Sequence, residues 1–295
     1  MVDQGRIAWY LGMGVDYEVH RGVLNMSQTA YVKALLHRFG VEDSADKATP
    51  MVLPCPTGDD RPAEGSAEQR KASEFDYRGA IGSLLFISLC TRPDIALAVS
   101  KLSRHVANPG ELHIKAVKRV LRYLGATASM ALTYRRTSQE LLLHGYVDAS
   151  YGDEDHEQRK STTGFVFYLG ECLVSWASVR QRTVARSSTE AEIIAASDAV
   201  LEALWLRKLG YDLRSGVVRA ILLRGDNTTA VRNATRGEYR RTKYIDIRIQ
   251  HTLEKIRDGS ITFEAVESEE NSADAMTKPL VGKLFYKHRR SYHLL

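Results

Sequence analysis

Cysteine is scarce in this sequence, with only Cys55, Cys90 and Cys172 among 295 residues. The number is odd, the three positions are widely separated, and none belongs to a Cys-x-x-Cys pair. This spacing argues against a disulfide framework and against a zinc site. We therefore expect three reduced thiols.

Long apolar runs are also absent. No run approaches the roughly 18 residues that a membrane-spanning helix needs, and the opening residues 1–6 lack the apolar region of a signal peptide. We expect a soluble intracellular protein, in the cytoplasm within a particle or in the nucleus, that is not secreted and has no membrane partner. With 44% hydrophobic and 26% charged residues, the chain is not a disordered protein and allows one large or two modest domains.

The charge balance is slightly basic, with a formal net charge of +5 and a pI near 9.0. This weakly favours a polyanionic partner. One short segment concentrates positive charge between tyrosines, a mixture found where phosphates are neutralised and a sugar or base is contacted. The alternative is a solvated basic helix face. The segment contains Arg236, Tyr239, Arg240, Arg241, Lys243, Tyr244 and Arg248.

Composition divides the chain into four segments. Residues 55–73 are rich in Pro, Gly, Asp, Glu and Ala without apolar periodicity, which predicts a linker. Residues 1–54 have the pattern of a β-hairpin followed by a helix that stops at Gly40. Residues 74–136 show helical periodicity, and residues 137–285 mix strands with helices. We therefore expect a short first segment, a helical module and a larger α/β domain.

Two acidic residues come directly after predicted strands. Asp148 ends an apolar strand, where aspartate is disfavoured by propensity and faces either water or a site. Asp226 follows a short apolar strand, at the carboxyl end where open α/β sheets hold ligands. Both positions predict a functional role.

Two further acids lie on predicted helices. Glu190 lies on a predicted stripe with Ile194, Leu201 and Leu204, at the edge of the buried face. Glu192 is rotated away from this stripe. Asp274 lies near the start of the last helix, where the helix dipole alone favours aspartate. Taken singly, each acid is more often a surface or capping residue.

Together, the four acids predict a metal site. Carboxylates without a lysine or arginine beside them repel one another, which raises their pKa values unless a divalent cation compensates. Hard carboxylate oxygens suit Mg²⁺, and two such ions about 3.5–4 Å apart activate a water and stabilise the leaving oxygen of a phosphodiester. The set therefore predicts Mg²⁺-dependent phosphodiester hydrolysis.

Short motifs follow one another along nearly the whole chain outside the predicted linker. They are Tyr10-Leu11-Gly12-Met13, Thr91-Arg92-Pro93-Asp94-Ile95, Val117-Lys118-Arg119-Val120-Leu121-Arg122-Tyr123-Leu124, Gly145-Tyr146-Val147-Asp148-Ala149, Arg159-Lys160-Ser161-Thr162-Thr163-Gly164, Ser187-Ser188-Thr189-Glu190-Ala191-Glu192, Asp226-Asn227, Arg241-Thr242-Lys243-Tyr244-Ile245-Asp246-Ile247-Arg248 and Ala273-Asp274-Ala275-Met276-Thr277-Lys278. In this order they resemble the C-terminal part of the Pol polyprotein of copia-type retrotransposons.

The resemblance implies an α/β fold. Residues 137–285 are expected to form a ribonuclease H-like five-stranded mixed sheet with flanking helices. A small helical connection is implied over residues 74–136, and a remnant of a reverse transcriptase, the palm edge and thumb, over residues 1–54. The implied activity is endonucleolytic hydrolysis of RNA in RNA·DNA hybrids during reverse transcription.

The resemblance also assigns roles to single residues. It implies that Asp148, Glu190, Asp226 and Asp274 are the catalytic metal ligands for two Mg²⁺ ions, which Mn²⁺ could replace. Ser188 and Asn227 are implied to touch the hybrid backbone and ribose. Arg241 and Lys243 are implied to contact phosphates. The implied partners are the RNA·DNA hybrid and the rest of a Pol polyprotein or a polymerase palm.

Two departures from related enzymes change the expectations. Reverse transcriptases need a Tyr-x-Asp-Asp turn, whereas here Asp59-Asp60 has no tyrosine before it, so we expect no DNA synthesis by this chain alone. Many cellular ribonucleases H place a histidine before the last acid to help the product leave. Here Glu267, Ser268 and Glu269 occupy that stretch, so we expect slow turnover.

Two alternative functions stay open. The first is a catalytically inert, truncated remnant of a retroelement that at most binds nucleic acid. The second, a transposase or integrase of related fold, fits less well because those enzymes arrange their acids differently. The sequence also lacks the cluster of zinc-binding His and Cys residues that would accompany an integrase.

Overall fold

The computed structural model of the protein describes residues 5–42, 47–138, 140–152, 159–213, 220–226 and 243–295. The chain forms two compact units. The first unit combines Met1–Arg136 with Pro279–Leu295, and the second is Thr137–Lys278. The change of unit after residue 136 coincides with the predicted start of the α/β domain.

The helices are α1 (Thr29–Arg38), α2 (Ala67–Ser73), α3 (Tyr77–Cys90), α4 (Ala96–Ser103), α5 (Glu111–Ala126), α6 (Ser188–Asp212), α7 (Lys243–Arg257), α8 (Asp274–Thr277) and α9 (Gly282–Ser291). The strands are β1 (Trp9–Tyr10), β2 (Met13–Glu18), β3 (Val23–Ser27), β4 (Leu132–Arg135), β5 (Leu143–Ser150), β6 (Thr162–Leu169), β7 (Cys172–Arg180), β8 (Ile221–Gly225) and β9 (Ile261–Ala265). Within the described ranges, no helix has the length and apolarity that a membrane crossing requires.

The first unit packs its helices around one apolar core and adds a four-stranded sheet in the order β1-β2-β3-β4. The predicted hairpin and first helix, and the predicted helices of residues 74–136, are all present. In α5, Val117, Val120, Leu121 and Leu124 recur at helical spacing and are fully buried in this core. The helical periodicity of the sequence therefore predicted this core.

The Thr91-Arg92-Pro93-Asp94 segment has a structural role in the first unit. Arg92 and Asp94 are both buried and form an ion pair of 2.7 Å, joined by a hydrogen bond from the Tyr123 hydroxyl to Asp94. Arg92 also donates to the Thr127 carbonyl oxygen at 3.0 Å. Because these charges are paired and hydrogen-bonded, their burial is tolerated, and they tie the start of α4 to the end of α5.

Residues 55–73 differ from the linker that their composition predicts. They contain α2 and pack on the first unit through hydrogen bonds. His113 accepts from the Gly110 backbone N–H at 2.9 Å with one ring nitrogen, which leaves the other to donate to the Thr57 carbonyl at 2.9 Å. Asn108 donates to the Pro62 carbonyl at 3.0 Å. Polar contacts of this kind leave no apolar periodicity in the sequence, so composition alone could not detect them.

The second unit is built on a five-stranded sheet in the order β7-β6-β5-β8-β9. The strands β7, β6 and β5 pair antiparallel, whereas β5, β8 and β9 are parallel. The hairpin between β6 and β7 turns at Gly170-Glu171, as the sequence predicted. The mixed five-stranded sheet with flanking helices confirms the predicted ribonuclease H-like α/β fold class.

The long helix α6 packs an alanine-rich face on this sheet. Ala195, Ala199 and Ala203 are completely buried, and Ile194 and Val200 pack beside them. Leu201, by contrast, is 55% exposed. Of the predicted stripe, Ile194 and Leu204 pack on the sheet and Leu201 does not; the small alanines let the helix approach the sheet closely.

Residues 279–295 belong to the first unit, although residues up to 285 were predicted to belong to the α/β domain. Phe285 of α9 enters the first core and contacts the Tyr123 ring edge-on at 5.9 Å. Ala131 and Leu295 exchange backbone hydrogen bonds of 2.9 and 3.1 Å. An amphipathic helix such as α9 carries no signal in its own sequence for which of two cores it joins.

Gly164 in β6 lets α8 reach the sheet. A Cβ atom at this position would lie 2.6 Å from Thr277 Cγ2 and 2.7 Å from Met276 Cβ, distances that carbon atoms do not adopt. Gly164 pairs with Asp148 in the neighbouring strand β5. The missing side chain therefore brings α8 next to Asp148.

We expect Gly164→Ala to destabilise the second unit by roughly 1–3 kcal/mol, because the added methyl group overlaps backbone-proximal atoms of α8. Chemical denaturation monitored by circular dichroism measures this loss. The matched control is Gly82→Ala in α3, where no atom lies within 4 Å of the added Cβ. Ala suits a helix better than Gly, so this variant should be slightly stabilised; equal effects of the two variants would contradict the packing described.

Candidate metal centre

Asp148 occupies the central strand β5, two residues before its end. Its neighbours Val147 and Ala149 enter the core of the second unit, and the alternation of a strand directs Asp148 away from that core. The aspartate is nevertheless 1% exposed, because α8 covers it. The Thr277 hydroxyl donates to Asp148 Oδ2 and fixes the carboxylate.

Glu192 and Asp226 complete a group of three acids with Asp148. One carboxylate oxygen from each of the three lies within 4.8 Å of the others. Asp226 directly follows β8, which runs parallel to β5, so both aspartates lie at the same edge of the sheet. Asp148 is buried, Glu192 half-buried and Asp226 exposed, so the group opens to solvent on the side of Asp226.

Burial and, after it, the proximity of other carboxylates shift the pKa values of these acids. Burial raises the pKa of Asp148 to about 6, although the Lys278 ammonium acts in the opposite direction. Burial, together with the carboxylates of Asp148 and Asp226, raises the pKa of Glu192 to about 9. Without a cation, ionisation of the whole group at neutral pH is therefore unfavourable.

Glu190, the predicted ligand, lies outside this group, and Glu192 takes its place. The Glu190 carboxylate accepts the Arg186 backbone N–H at 3.0 Å, while its own N–H donates to the Ser187 hydroxyl at 3.1 Å. Glu190 thus caps the start of α6, where an acid also complements the helix dipole. Glu190 is therefore not among the three clustered acids; the stripe on which it was placed combined the buried Ile194 with the exposed Leu201 and did not mark the inner face of α6 correctly.

The sequence did contain a signal for Glu192. The buried alanines Ala195, Ala199 and Ala203 recur every four residues, and Glu192 precedes Ala195 by three positions. Residues three and four apart share one face of an α-helix. The alanine stripe therefore points to Glu192 rather than to Glu190.

Asp274 is the first residue of α8 and lies beside Asp148, although it is not one of the three clustered acids. Its carboxylate accepts from the Ser268 hydroxyl at 3.1 Å and from the Lys278 ammonium at 3.0 Å. Burial raises the pKa of Asp274, and Lys278 moderates the rise. The Lys278 ammonium therefore bridges the carboxylates of Asp274 and Asp148.

Lys278 is a basic residue that lies beside two of the four predicted acids. Its ammonium lies 3.3 Å from Asp148 Oδ1 and 3.0 Å from Asp274 Oδ1. Burial lowers the pKa of this lysine, but the attraction of Asp148 and Asp274 outweighs burial, and the net shift is upward. Lys278 follows α8, so its position depends on the contact with Gly164, which a local sequence pattern does not reveal.

The donor chemistry of the centre fits a hard divalent cation. Asp148, Glu192 and Asp226 offer only carboxylate oxygens, without the sulfur or imidazole donors that zinc and copper sites usually include. Carboxylates forced together also gain most from a divalent charge. These residues could therefore hold an ion such as Mg²⁺ or Mn²⁺.

Comparison with known proteins identifies the family. No protein-family model matches the chain. The chain is 34% identical over 290 residues to the retrovirus-related Pol polyprotein of transposon TNT 1-94 from Nicotiana tabacum, covering 94% of this chain and 21% of that protein. It is 33% identical over 280 residues to the corresponding polyprotein of transposon RE1 from Arabidopsis thaliana, covering 94% and 18%. The chain belongs to the copia-type Pol polyproteins of transposons.

This Pol chain spans about a fifth of the length of those polyproteins. A shorter relative, the mitochondrial protein AtMg00810 of Arabidopsis thaliana, is 32% identical over 205 residues, covering 70% of this chain and 80% of the relative. The predicted resemblance to the copia-type Pol polyproteins is therefore confirmed.

Solved structures resemble the Pol chain only distantly. Ribonuclease H1 from Halobacterium salinarum NRC-1 matches 46% of this chain and 93% of its own length, with 20% identity and a TM-score of 0.31. A foamy viral protease-reverse transcriptase in complex with an RNA/DNA hybrid matches 88% of this chain and 29% of its own length, with 12% identity and a TM-score of 0.46. Because both TM-scores are below 0.5, the strand order and pairing of the sheet describe the fold better than these similarities do.

Of the predicted nucleic-acid contacts, one side chain of the Pol chain is described. Ser188 is the exposed first residue of α6. Lys243 is the first residue of α7, but its side chain lies outside the described residues. Asn227 and Arg241 also lie outside them. The roles of these four residues stay predictions.

We expect Glu192→Gln to raise the thermal unfolding temperature of the metal-free Pol chain at pH 8. A folded-state pKa raised from 4.5 to about 9 gives stability that is present at low pH and is lost as the pH rises towards 9. Glutamine has no carboxyl group to ionise, so the variant does not lose this stability as the pH rises. Differential scanning calorimetry in the presence of a chelator measures the gain, which should disappear at pH 5.

Glu190→Gln is the matched control, since it makes the same change two residues away. Because Glu190 caps a helix and lies outside the acidic group, its amide should give no gain at pH 8. An equal gain from both variants, or a gain from Glu192→Gln that persists at pH 5, would contradict the charge repulsion inferred for the site.

Proposed function

We propose that this chain hydrolyses the RNA strand of RNA·DNA hybrids with divalent metal ions held by Asp148, Glu192, Asp226 and Asp274. The observation that carries the proposal is the convergence of Asp148, Glu192 and Asp226 within 4.8 Å at one edge of a ribonuclease H-like sheet. Membership of the copia-type Pol family supports the same reaction. Glu192 replaces Glu190 in the proposed ligand set.

The geometry supports cleavage of a phosphodiester by water. A bound divalent ion lowers the pKa of water and neutralises charge on a phosphate. Three contacts within the chain hold the carboxylates in place. The Thr277 hydroxyl donates to Asp148, the Ser268 hydroxyl donates to Asp274, and the Ala149 backbone hydrogen-bonds to Glu192. Carboxylates fixed in this way need little reorganisation when an ion and a substrate arrive.

For the substrate, we propose an RNA·DNA hybrid read by shape and 2′-hydroxyl groups rather than by sequence. The exposed Ser188 at the start of α6 and the predicted contacts Asn227, Arg241 and Lys243 would bind its backbone. Mg²⁺ is the proposed ion, two per site, with Mn²⁺ as a substitute. The proposed setting is the cytoplasm, within a particle, or the nucleus, with the remainder of a Pol polyprotein or a polymerase palm as partner.

The direct test is cleavage of an end-labelled RNA·DNA hybrid by the purified chain in Mg²⁺, with an RNA·RNA duplex alongside. We expect cleavage of the hybrid alone, and its loss in Asp148→Asn. No cleavage by a folded wild-type chain would contradict the proposal. It would favour an inert remnant, which a gel-shift experiment with the same hybrid would detect as binding without turnover.

The pair Glu192→Gln and Glu190→Gln tests the revised ligand set in the same assay. Loss of a metal ligand should reduce the single-turnover rate by at least about 100-fold, since even indirect partners of ligands are worth 10–100-fold. Glu190→Gln should retain most activity because Glu190 only caps α6. The reverse result would restore Glu190 as the ligand and exclude Glu192.

A further inference from the structure

Lys278 is the basic residue that joins two of the acids. Its ammonium lies 3.0 Å from Asp274 Oδ1 and 3.3 Å from Asp148 Oδ1. The two aspartates are almost completely buried, whereas the lysine side chain is 38% exposed. Lys278 therefore reaches from the surface into a position between two buried carboxylates.

The other oxygen of each carboxylate is already hydrogen-bonded. The Thr277 hydroxyl donates to Asp148 Oδ2, and the Ser268 hydroxyl donates to Asp274 Oδ2. The oxygens that face each other across the ammonium are the two Oδ1 atoms, and both contact the lysine. The ammonium occupies the point at which an ion bridging Asp148 and Asp274 would bind.

Asp148 also belongs to the group with Glu192 and Asp226, which does not include Asp274. The centre therefore has two parts that share Asp148. Among the described residues, neither Glu192 nor Asp226 forms an ion pair with a lysine or arginine, whereas Asp148 and Asp274 already share the Lys278 ammonium. One divalent ion in the first part, together with Lys278 in the second, balances three of the four carboxylate charges.

We propose that Lys278 is the resident cation of the Asp148–Asp274 part, and that a second divalent ion binds there only by displacing its ammonium. This inference rests on the proposed metal-dependent function. Lysine suits the role because its charge is compact and lies on a flexible four-carbon stem that can swing back to solvent. The first divalent ion therefore binds readily, whereas the second must compete with the Lys278 ammonium.

A purely structural role for Lys278 makes a different prediction. If the lysine only fastens α8 to β5, its removal lowers stability and leaves the number and affinity of bound ions unchanged. The competing role predicts that removal of the ammonium strengthens binding of the second ion. Counting bound ions separates these roles without any measurement of cleavage.

The test is a titration of the whole chain with Mn²⁺ at pH 7.5, with free Mn²⁺ measured by electron paramagnetic resonance. We expect wild type to bind one ion well and a second more weakly, and Lys278→Met to bind the second at least about tenfold more tightly. Lys278→Arg keeps the charge and should behave like wild type. The matched control, Lys283→Met, removes an exposed lysine of α9 and should leave both affinities unchanged.

Two further variants complete the test. Asp274→Asn combined with Lys278→Met should abolish the gain, because the second part then lacks one carboxylate. If Lys278→Met does not fold, Lys278→Gln removes the charge and keeps a polar end group, with the same expected gain. Equal affinities for the second ion in wild type and in the folded neutral variant would overturn the role of Lys278.

The same titration distinguishes failure of this inference from failure of the proposed function. If neither wild type nor the neutral variants bind any Mn²⁺, the metal centre itself is refuted. If all bind two ions with equal affinities, the metal centre stands and only the competition by Lys278 is refuted.

Discussion

The second unit must accommodate the repulsion between the carboxylates around Asp148. A buried aspartate in a central strand, with Glu192 and Asp226 close by, opposes folding unless positive charge or protons offset it. Burial first, and the neighbouring carboxylates after it, raise the pKa values of Asp148 and Glu192. Hydroxyl donors, the Lys278 ammonium and the proposed divalent ion are three responses to the same excess of negative charge.

Small residues make that concentration of charge sterically possible. The alanine face of α6 brings Glu192 down to the sheet, and the absent side chain of Gly164 admits α8 with Asp274. Neither the alanines of α6 nor Gly164 has a side chain that can bind a metal ion. They determine which acids meet, so the identity of the site depends on packing as much as on the acids themselves.

The limits of sequence reasoning follow from the same packing. Periodicity predicted the strand that ends near Asp148, the hairpin at Gly170 and the helical core of the first unit, because each of these is a local pattern. Glu192 was missed because the stripe of Ile194, Leu201 and Leu204 was taken to mark the inner face of α6, whereas Leu201 is 55% exposed and buried alanines occupy that face. Lys278 was missed because its position depends on contacts between segments more than 100 residues apart in the chain. Local patterns do not encode such contacts.

In chain order, the second unit is inserted into the first, since Thr137–Lys278 is flanked on both sides by segments of the other unit. During synthesis on a ribosome, the α/β unit is therefore complete before the helical unit has received α9 and its Phe285. Until then, the first core lacks the edge-on contact of the Phe285 ring with the Tyr123 ring. The core of the first unit therefore joins segments that are separated in the order of synthesis by the whole of the second unit.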